Sequence, residues 1–121
     1  GSDSVDNTIK KYLPLTESTY YIMISLVEPK HGYGIMQYTE EISCGKVTLG
    51  PGTLYGALNK LLKTGLIIQT EVNEQENERR KYYILTDLGR KVVIAEFKRL
   101  SQQVENSKEV ILKLGGANDV K

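Results

Sequence analysis

The feature that most restricts the fold lies toward the C-terminus. Val93, Phe97, Leu100, Val104, Ser107, Ile111 and Leu114 follow one another at intervals of 4, 3, 4, 3, 4 and 3, a heptad seam interrupted once by a serine. Thr86 can cap such a helix, and Gly115-Gly116 can end it, so the pattern predicts one helix over 86–114. At 1.5 Å per residue it would reach about 40 Å, more than a small domain can cover alone. The seam therefore asks for a second chain, and a C2 homodimer is the simplest arrangement. Folding back as an ordinary core element is the alternative.

The rest of the 121-residue chain suits one domain. The expected organisation is a flexible N-terminal arm over 1–12, a domain over 13–85, the long helix over 86–114 and a disordered tail over 115–121. Gly1-Ser2, without an initiator Met, reads as the remnant of a cleaved tag. No apolar run approaches a membrane span and no signal peptide opens the chain, so the cytoplasm is the expected location. The single Cys44 forms no internal disulfide, and no Cys or His at ligand spacing predicts a metal site. No cofactor is expected either. One His, one Cys and no paired nucleophile and base argue against an enzyme, and Gly50-Pro51-Gly52 lacks the phosphate-cradling Walker pattern.

Thr16 can cap a first helix reaching about residue 28, before Pro29. Its expected core-facing stripe is Tyr20, Tyr21, Met23, Ile24 and Val27, widened by Ile22 and Leu26. Residues 30–34 read as a turn, followed by a short helix over 34–42 with Ile35, Tyr38 and Ile42 on one side. A third helix over 51–64 has Pro51 in its first turn, Leu54, Leu58, Leu61 and Leu62 inward, and Gly65 as the residue that ends it. Two β-branched and aromatic runs, 66–72 and 80–85, flank a polar tip and predict a hairpin. The fold class is thus mainly α with a small β-hairpin. Three helices, a hairpin and a long final helix are the connectivity of a winged helix-turn-helix with an appended dimerisation helix.

Charge is unevenly spread. Sixteen Lys and Arg against fifteen Asp and Glu leave a net +1, yet residues 46–64 hold three Lys and no acid, while residues 1–45 hold six acids against three Lys. With the leucines inward, Thr53, Gly56, Asn59, Lys60 and Lys63 lie on or beside the outer face of the third helix. Lysines neutralise phosphates, Thr53 and helix-start N–H groups can bond phosphate oxygen, Tyr55 offers a hydroxyl, and Asn59 carries the donor–acceptor pair that suits adenine. A solvated surface helix accounts for the same residues.

Leu-Gly-Pro-Gly-Thr-Leu-Tyr-Gly-Ala-Leu-Asn-Lys-Leu at 49–61, continuing Leu-Lys-Thr-Gly-Leu-Ile, resembles the recognition-helix signature of PadR-family transcriptional regulators. His31-Gly32-Tyr33-Gly34-Ile35 resembles that family's turn into its second helix, and residues 79–89 resemble its second wing strand leading into the last helix. The blocks fall in order within about residues 13–95. The resemblance implies a homodimeric, repressor-like protein that places one third helix per subunit in successive major grooves of a pseudo-palindromic operator. The implied DNA contacts are Tyr33, Thr48, Gly50, Thr53, Tyr55, Gly56, Asn59, Lys60 and Lys63, with Arg80 and Lys81 at the base of the wing. The implied dimer interface is Tyr20, Tyr21, Val93, Phe97, Leu100, Val104, Ile111 and Leu114.

Two departures stand out. Gly56 stands where family members often have proline, which permits a closer approach to DNA. Glu71, Glu74, Glu76 and Glu78 make the wing acidic, which disfavours phosphate contact by its tip. Relatives respond to phenolic or drug-like compounds, so a small apolar effector lodged among Tyr20, Tyr21, Met23 and Phe97 is an alternative to a plain dimer core. A winged-helix protein-interaction module is a further alternative. His31 reads as an exposed turn histidine and Cys44 as an inert thiol. Gly89 is expected to serve close helix packing.

Overall fold

A computed structural model describes residues 7–75 and 78–115. The elements are α1 (Glu17–Ser25), α2 (Gly32–Ile42), α3 (Pro51–Lys63), β1 (Ile67–Gln75), β2 (Glu78–Leu85) and α4 (Asp87–Lys113). Ile22, Met23 and Leu26 from α1 and its end, Ile35 from α2, Leu54, Leu58 and Leu61 from α3, Tyr83 and Leu85 from β2 and Val92 from α4 form one core. No described helix is long and apolar enough to cross a membrane.

Local chemistry sets the boundaries. Thr16 accepts the Thr19 N–H at 3.1 Å and Thr86 accepts the Gly89 N–H at 3.0 Å, so two of the expected caps form. Pro51 occupies the first turn of α3, and Gly65, at φ +78° just past its end, takes the left-handed conformation that releases the chain into β1. The hairpin is antiparallel with Ile67 opposite Leu85, and both strands run further than the apolar runs alone indicated. Backbone pairing carries them past the β-branched residues, with a register shift between Asn73 and Gln75.

Four expectations are corrected. Residues 7–10 form a helical turn and Ile9 is 6% exposed within the core, so the chain is anchored from residue 7 rather than from 13; residues 1–6 lie outside the described residues. The buried stripe of α1 is Ile22, Met23 and Ser25, continued by Leu26, whereas Tyr20, Tyr21 and Ile24 are half-buried and Val27 is exposed. The helix stops at Ser25, short of residue 28: the Leu26 N–H turns to Met23 O at 3.0 Å in a tightened last turn, and the freed Leu26 carbonyl accepts the Leu85 N–H at 2.9 Å. Finally, α2 starts at Gly32 with His31 as its cap, and its buried line is Ile35 and Thr39, with Ile42 exposed. The tail beyond 115 falls outside the described residues.

The wing is tied to the helices by backbone. Lys30 and Tyr83 exchange N–H···O bonds of 3.1 and 2.9 Å, so the α1–α2 connection adds a short third rung to β2. At the other edge the Thr86 N–H donates to Leu66 O at 3.0 Å, and the Thr86 hydroxyl donates to Gly65 O at 2.7 Å. Gly89 packs directly on this turn: a Cβ there would collide with the Leu66 carbonyl oxygen.

A pair of glycine substitutions separates these roles. Gly89→Ala pushes on a backbone carbonyl that cannot rotate away, and thermal unfolding should show a loss of about 1–3 kcal/mol. Gly56→Ala meets nothing within 4 Å inside α3 and should gain about 0.5–1 kcal/mol, the helix-interior advantage of alanine. Equal effects would contradict this assignment.

Candidate nucleic-acid interface

The outer face of α3 is built from residues one and two turns apart. Gly52, Gly56, Asn59 and Lys63 share its central line at helical spacing, all of them exposed. Nothing lies within 4 Å of a Cβ placed on either glycine, so this ridge is low and its backbone can approach a partner closely. Gly50 caps the helix without a side-chain bond, which leaves the Gly52 and Thr53 N–H groups without intrahelical acceptors. Thr48, Gly50 and Thr53 are exposed around that end. Lys60 and Lys63 occupy the last turn, where the helix dipole also favours cations.

Tyr55 and Lys60 flank the central line on opposite sides. Tyr55 faces a cleft lined by His31, Gly32, Tyr33, Arg80, Lys81 and Tyr83. There the start of α2, the side of α3 and the outer half of β2 meet, so Tyr33, Tyr55 and the neighbours Arg80 and Lys81 come together from three separate stretches of sequence. Gly32 makes room for Tyr55, whose hydroxyl occupies the space a Cβ at 32 would need. Burial, then the neighbouring Tyr55, raise the Tyr83 phenol above its usual 10.0, so it stays neutral. Tyr33 is exposed and its hydroxyl accepts from Gln37 Nε2 at 3.2 Å. Lys60 instead lines a hollow on the far flank with Tyr12, Leu15, Thr16 and Thr64.

His31 is the residue that sequence reasoning misread. It is half-buried; its Nδ1 accepts the Gly34 N–H at 3.2 Å, its ring meets Tyr82 edge-on, and Nε2 lies 3.2 Å from Arg80 Nη1. The signal available was its place just ahead of a helix, where side-chain acceptors cap. Cys44 is exposed at positive φ in the turn after α2. Of the acidic wing, Glu71 is exposed, while the side chains of Glu74, Glu76, Glu78 and Arg79 lie outside the described residues. No described group of three or more His, Cys, Asp or Glu could hold a metal ion.

The seam of α4 forms a second surface. Phe97 is 61% exposed, Val104 60% and Leu114 77%, and none of residues 101–115 is buried. Tyr20, Phe97, Leu100, Ser101 and Val104 line an open groove rimmed by Glu105 and Lys108; Tyr21 and Val93 are half-buried beside the core. Met23, expected in an effector pocket here, is wholly buried in the domain core and does not line the groove.

Glu96, also unforeseen, holds α4 to the start of α1. It is 1% exposed, accepts the Leu15 N–H at 2.9 Å, and accepts from Arg99 Nε at 2.6 Å and Nη2 at 3.1 Å. The Arg99 hydrogen bonds, helped by the Leu15 N–H, outweigh burial and hold its carboxyl below the usual 4.5.

A family model for the transcriptional regulator PadR-like family matches residues 22–95, more than half of the chain. The chain belongs to this family. Its solved relatives include a transcriptional regulator from Clostridium thermocellum, 26% identical, covering 88% of this chain and 96% of that one with a TM-score of 0.58. A Streptococcus mutans protein is 31% identical over 81% of this chain and 87% of its own, with a TM-score of 0.61. PadR of Bacillus subtilis, solved in complex with operator DNA, shares the fold at 19% identity, covering 86% of this chain and 76% of that one with a TM-score of 0.59. No match was found among curated proteins. The PadR-like winged helix and long C-terminal helix thus agree with the architecture read from the order of elements.

Glu96 makes the fold acid-sensitive. Because its folded carboxyl titrates below the ordinary 4.5, its contribution is complete above that value and is lost as pH falls through and below it. Glu96→Gln should cost about 1–3 kcal/mol at neutral pH. In urea unfolding its deficit against the parent chain should shrink as pH falls from neutrality to below 4.5; a deficit constant across that range would contradict the role.

Proposed function

We propose that this PadR-like chain is a cytoplasmic, sequence-specific DNA-binding regulator, a repressor by mechanism, which engages a pseudo-palindromic operator as a homodimer. The observation that carries the reading is the acid-free α3. Its low ridge of Gly52, Gly56, Asn59 and Lys63 is open to solvent and flanked by a tyrosine- and cation-lined cleft. A helix of 13 residues is about 20 Å long and fits a major groove along its exposed side. Asn59 is the base-reading candidate, since its amide matches the adenine edge. Thr48, Gly50 and Thr53 at the start of α3 contact phosphate through hydroxyl and backbone N–H. Lys63 on the central line and Lys60 on the flank neutralise phosphates at the end of α3, and Tyr33, Tyr55, Arg80 and Lys81 hold the adjoining backbone on the wing side. Repression follows from occupancy: a dimer spread over two grooves obstructs other proteins from the same DNA.

The dimer reading is supported by the seam of Phe97, Val104, Ile111 and Leu114, all exposed, with half-buried Leu100 among them and Tyr20, Tyr21 and Val93 beside it. A monomeric domain gains nothing by leaving such a stripe in water, whereas a second α4 buries it by knobs-into-holes packing. The groove between Tyr20 and Phe97 belongs to this seam. A separate effector pocket has no enclosed cavity there to support it.

Lys63→Ala, on the central ridge, should weaken duplex binding and reduce the slope of log affinity against log salt by about 0.9, the signature of one phosphate contact. Lys60→Ala should do the same from the flank. Unchanged affinity and slope in both variants would remove α3 from the interface. Val104→Glu, which places a charge in the seam, should convert the dimer to monomer in sedimentation equilibrium while leaving the domain folded; a parent chain that is monomeric at all concentrations would sink the dimer reading.

A further inference from the structure

His31 is the chain's only histidine, and two donors face its ring. The Gly34 N–H reaches Nδ1 at 3.2 Å, and Arg80 Nη1 lies 3.2 Å from Nε2. A neutral imidazole has one N–H and one acceptor nitrogen, so it can accept from only one of them. The Gly34 N–H is fixed in the first turn of α2 and has no intrahelical acceptor, whereas a guanidinium on a long side chain can turn to other partners. The tautomer with Nδ1 accepting and the proton on Nε2 is the one that satisfies the fixed donor. That places Nε2–H beside the Arg80 guanidinium, two donors at the edge of the cleft that holds Tyr33, Tyr55 and Lys81. The Tyr82 ring, edge-on to His31 with centroids 5.4 Å apart, keeps the imidazole in this orientation.

Two donors side by side are complementary to a shared acceptor. An anionic oxygen about 2.9 Å from each nitrogen, an ordinary hydrogen-bond length, closes a triangle on their 3.2 Å separation and relieves the donor–donor contact. We propose that His31 Nε2–H and Arg80 jointly receive one phosphate oxygen of bound DNA, which makes His31 a DNA-contact residue that reads the backbone rather than the bases. This rests on the DNA-binding reading above and extends it to a side chain that also caps α2. The phosphate contact is thereby set in register with the helix that precedes the recognition helix.

Because there is one histidine, its ring nitrogens can be followed by ¹⁵N NMR in the full chain without assignment ambiguity. The free protein should show the Nε2–H tautomer; the Nδ1–H tautomer would overturn the proposal, since Nε2 would then have no proton to give. Adding a short random-sequence duplex at low salt should shift the Nε2 resonance and slow exchange of its proton. His31→Asn retains a capping oxygen and removes only the second donor, so duplex affinity should fall about tenfold with the salt slope unchanged, because a neutral ring displaces no counterion. Arg80→Gln should lower the slope by about 0.9, and the double variant should lose less than the product of the two single effects, as expected of two donors on one oxygen. An unmoved ring resonance on DNA addition, or parental affinity in His31→Asn, would overturn the contact. If His31→Asn lowers the thermal midpoint, the ring resonances of the parent chain still decide. Failure of the parent chain to bind any duplex would bring down the regulator reading and this contact with it, whereas the tautomer, read without DNA, would still report the ring's geometry.

Discussion

Everything in this chain is hung on the turn between α3 and β1. Gly65 leaves α3 in the left-handed conformation, and Leu66 follows with its N–H on Leu61 O at 3.0 Å. Thr86 then bonds both residues: its N–H meets Leu66 O and its hydroxyl meets Gly65 O. The same hydroxyl caps α4 through the Gly89 N–H, and Gly89 has no Cβ because Leu66 O occupies that space. One threonine and two glycines thus join the end of the candidate recognition helix, both roots of the wing and the start of the long helix. None of the four elements can shift alone without breaking at least one of these hydrogen bonds.

A second tie sets the cleft. The backbone pair between Lys30 and Tyr83 lays the approach to α2 along β2, and the Leu26–Leu85 bond ties the end of α1 to the same strand. His31 therefore emerges beside the base of the wing, within reach of Arg80. The Lys30 ammonium reinforces the corner by donating to Ser25 O at 2.7 Å while lying over the Tyr38 ring. Side chains that lie far apart in sequence share a cleft because backbone hydrogen bonds, which no residue type specifies, bring their carriers together.

This explains which parts were legible beforehand. The α3 boundaries, Gly65, Thr86, Gly89 and the heptad of α4 were readable because each is set by local rules: periodicity, a cap, a left-handed residue, a missing Cβ. The end of α1 was not, since Pro29 is the local stop signal but the chain already tightens at Leu26, whose N–H turns to Met23 O and whose carbonyl meets the distant Leu85 N–H. Its buried face was misplaced by a few residues because nearly every position from 20 to 27 is apolar, and a helix hydrophobic all round carries little phase information. Ile9 looked solitary among polar residues and yet is core. Nothing in the sequence sets Glu96 apart from the other acids of an amphipathic helix; only its meeting with Leu15, 81 residues away in sequence, makes it a buried anchor. His31 was read by its type, whereas its position before α2 decides its chemistry.

The anchors also bear on how two chains could act on one DNA. Glu96, Arg99 and Leu15 fasten α4 to the start of α1 just before the helix leaves the domain, and Phe97 of the seam is the next residue after Glu96. In a dimer closed along α4, the separation and tilt of the two α3 helices follow from the angle at which each α4 meets its own domain. That angle is held at Gly89 on one side and at Glu96 on the other, two turns apart on one helix. A half-site spacing fixed in this way depends on a short rigid stretch near the start of α4 rather than on the length of its seam. Substitutions beyond Val104 would then change how tightly the chains associate, and substitutions between Gly89 and Arg99 would change which spacing of grooves the pair can span.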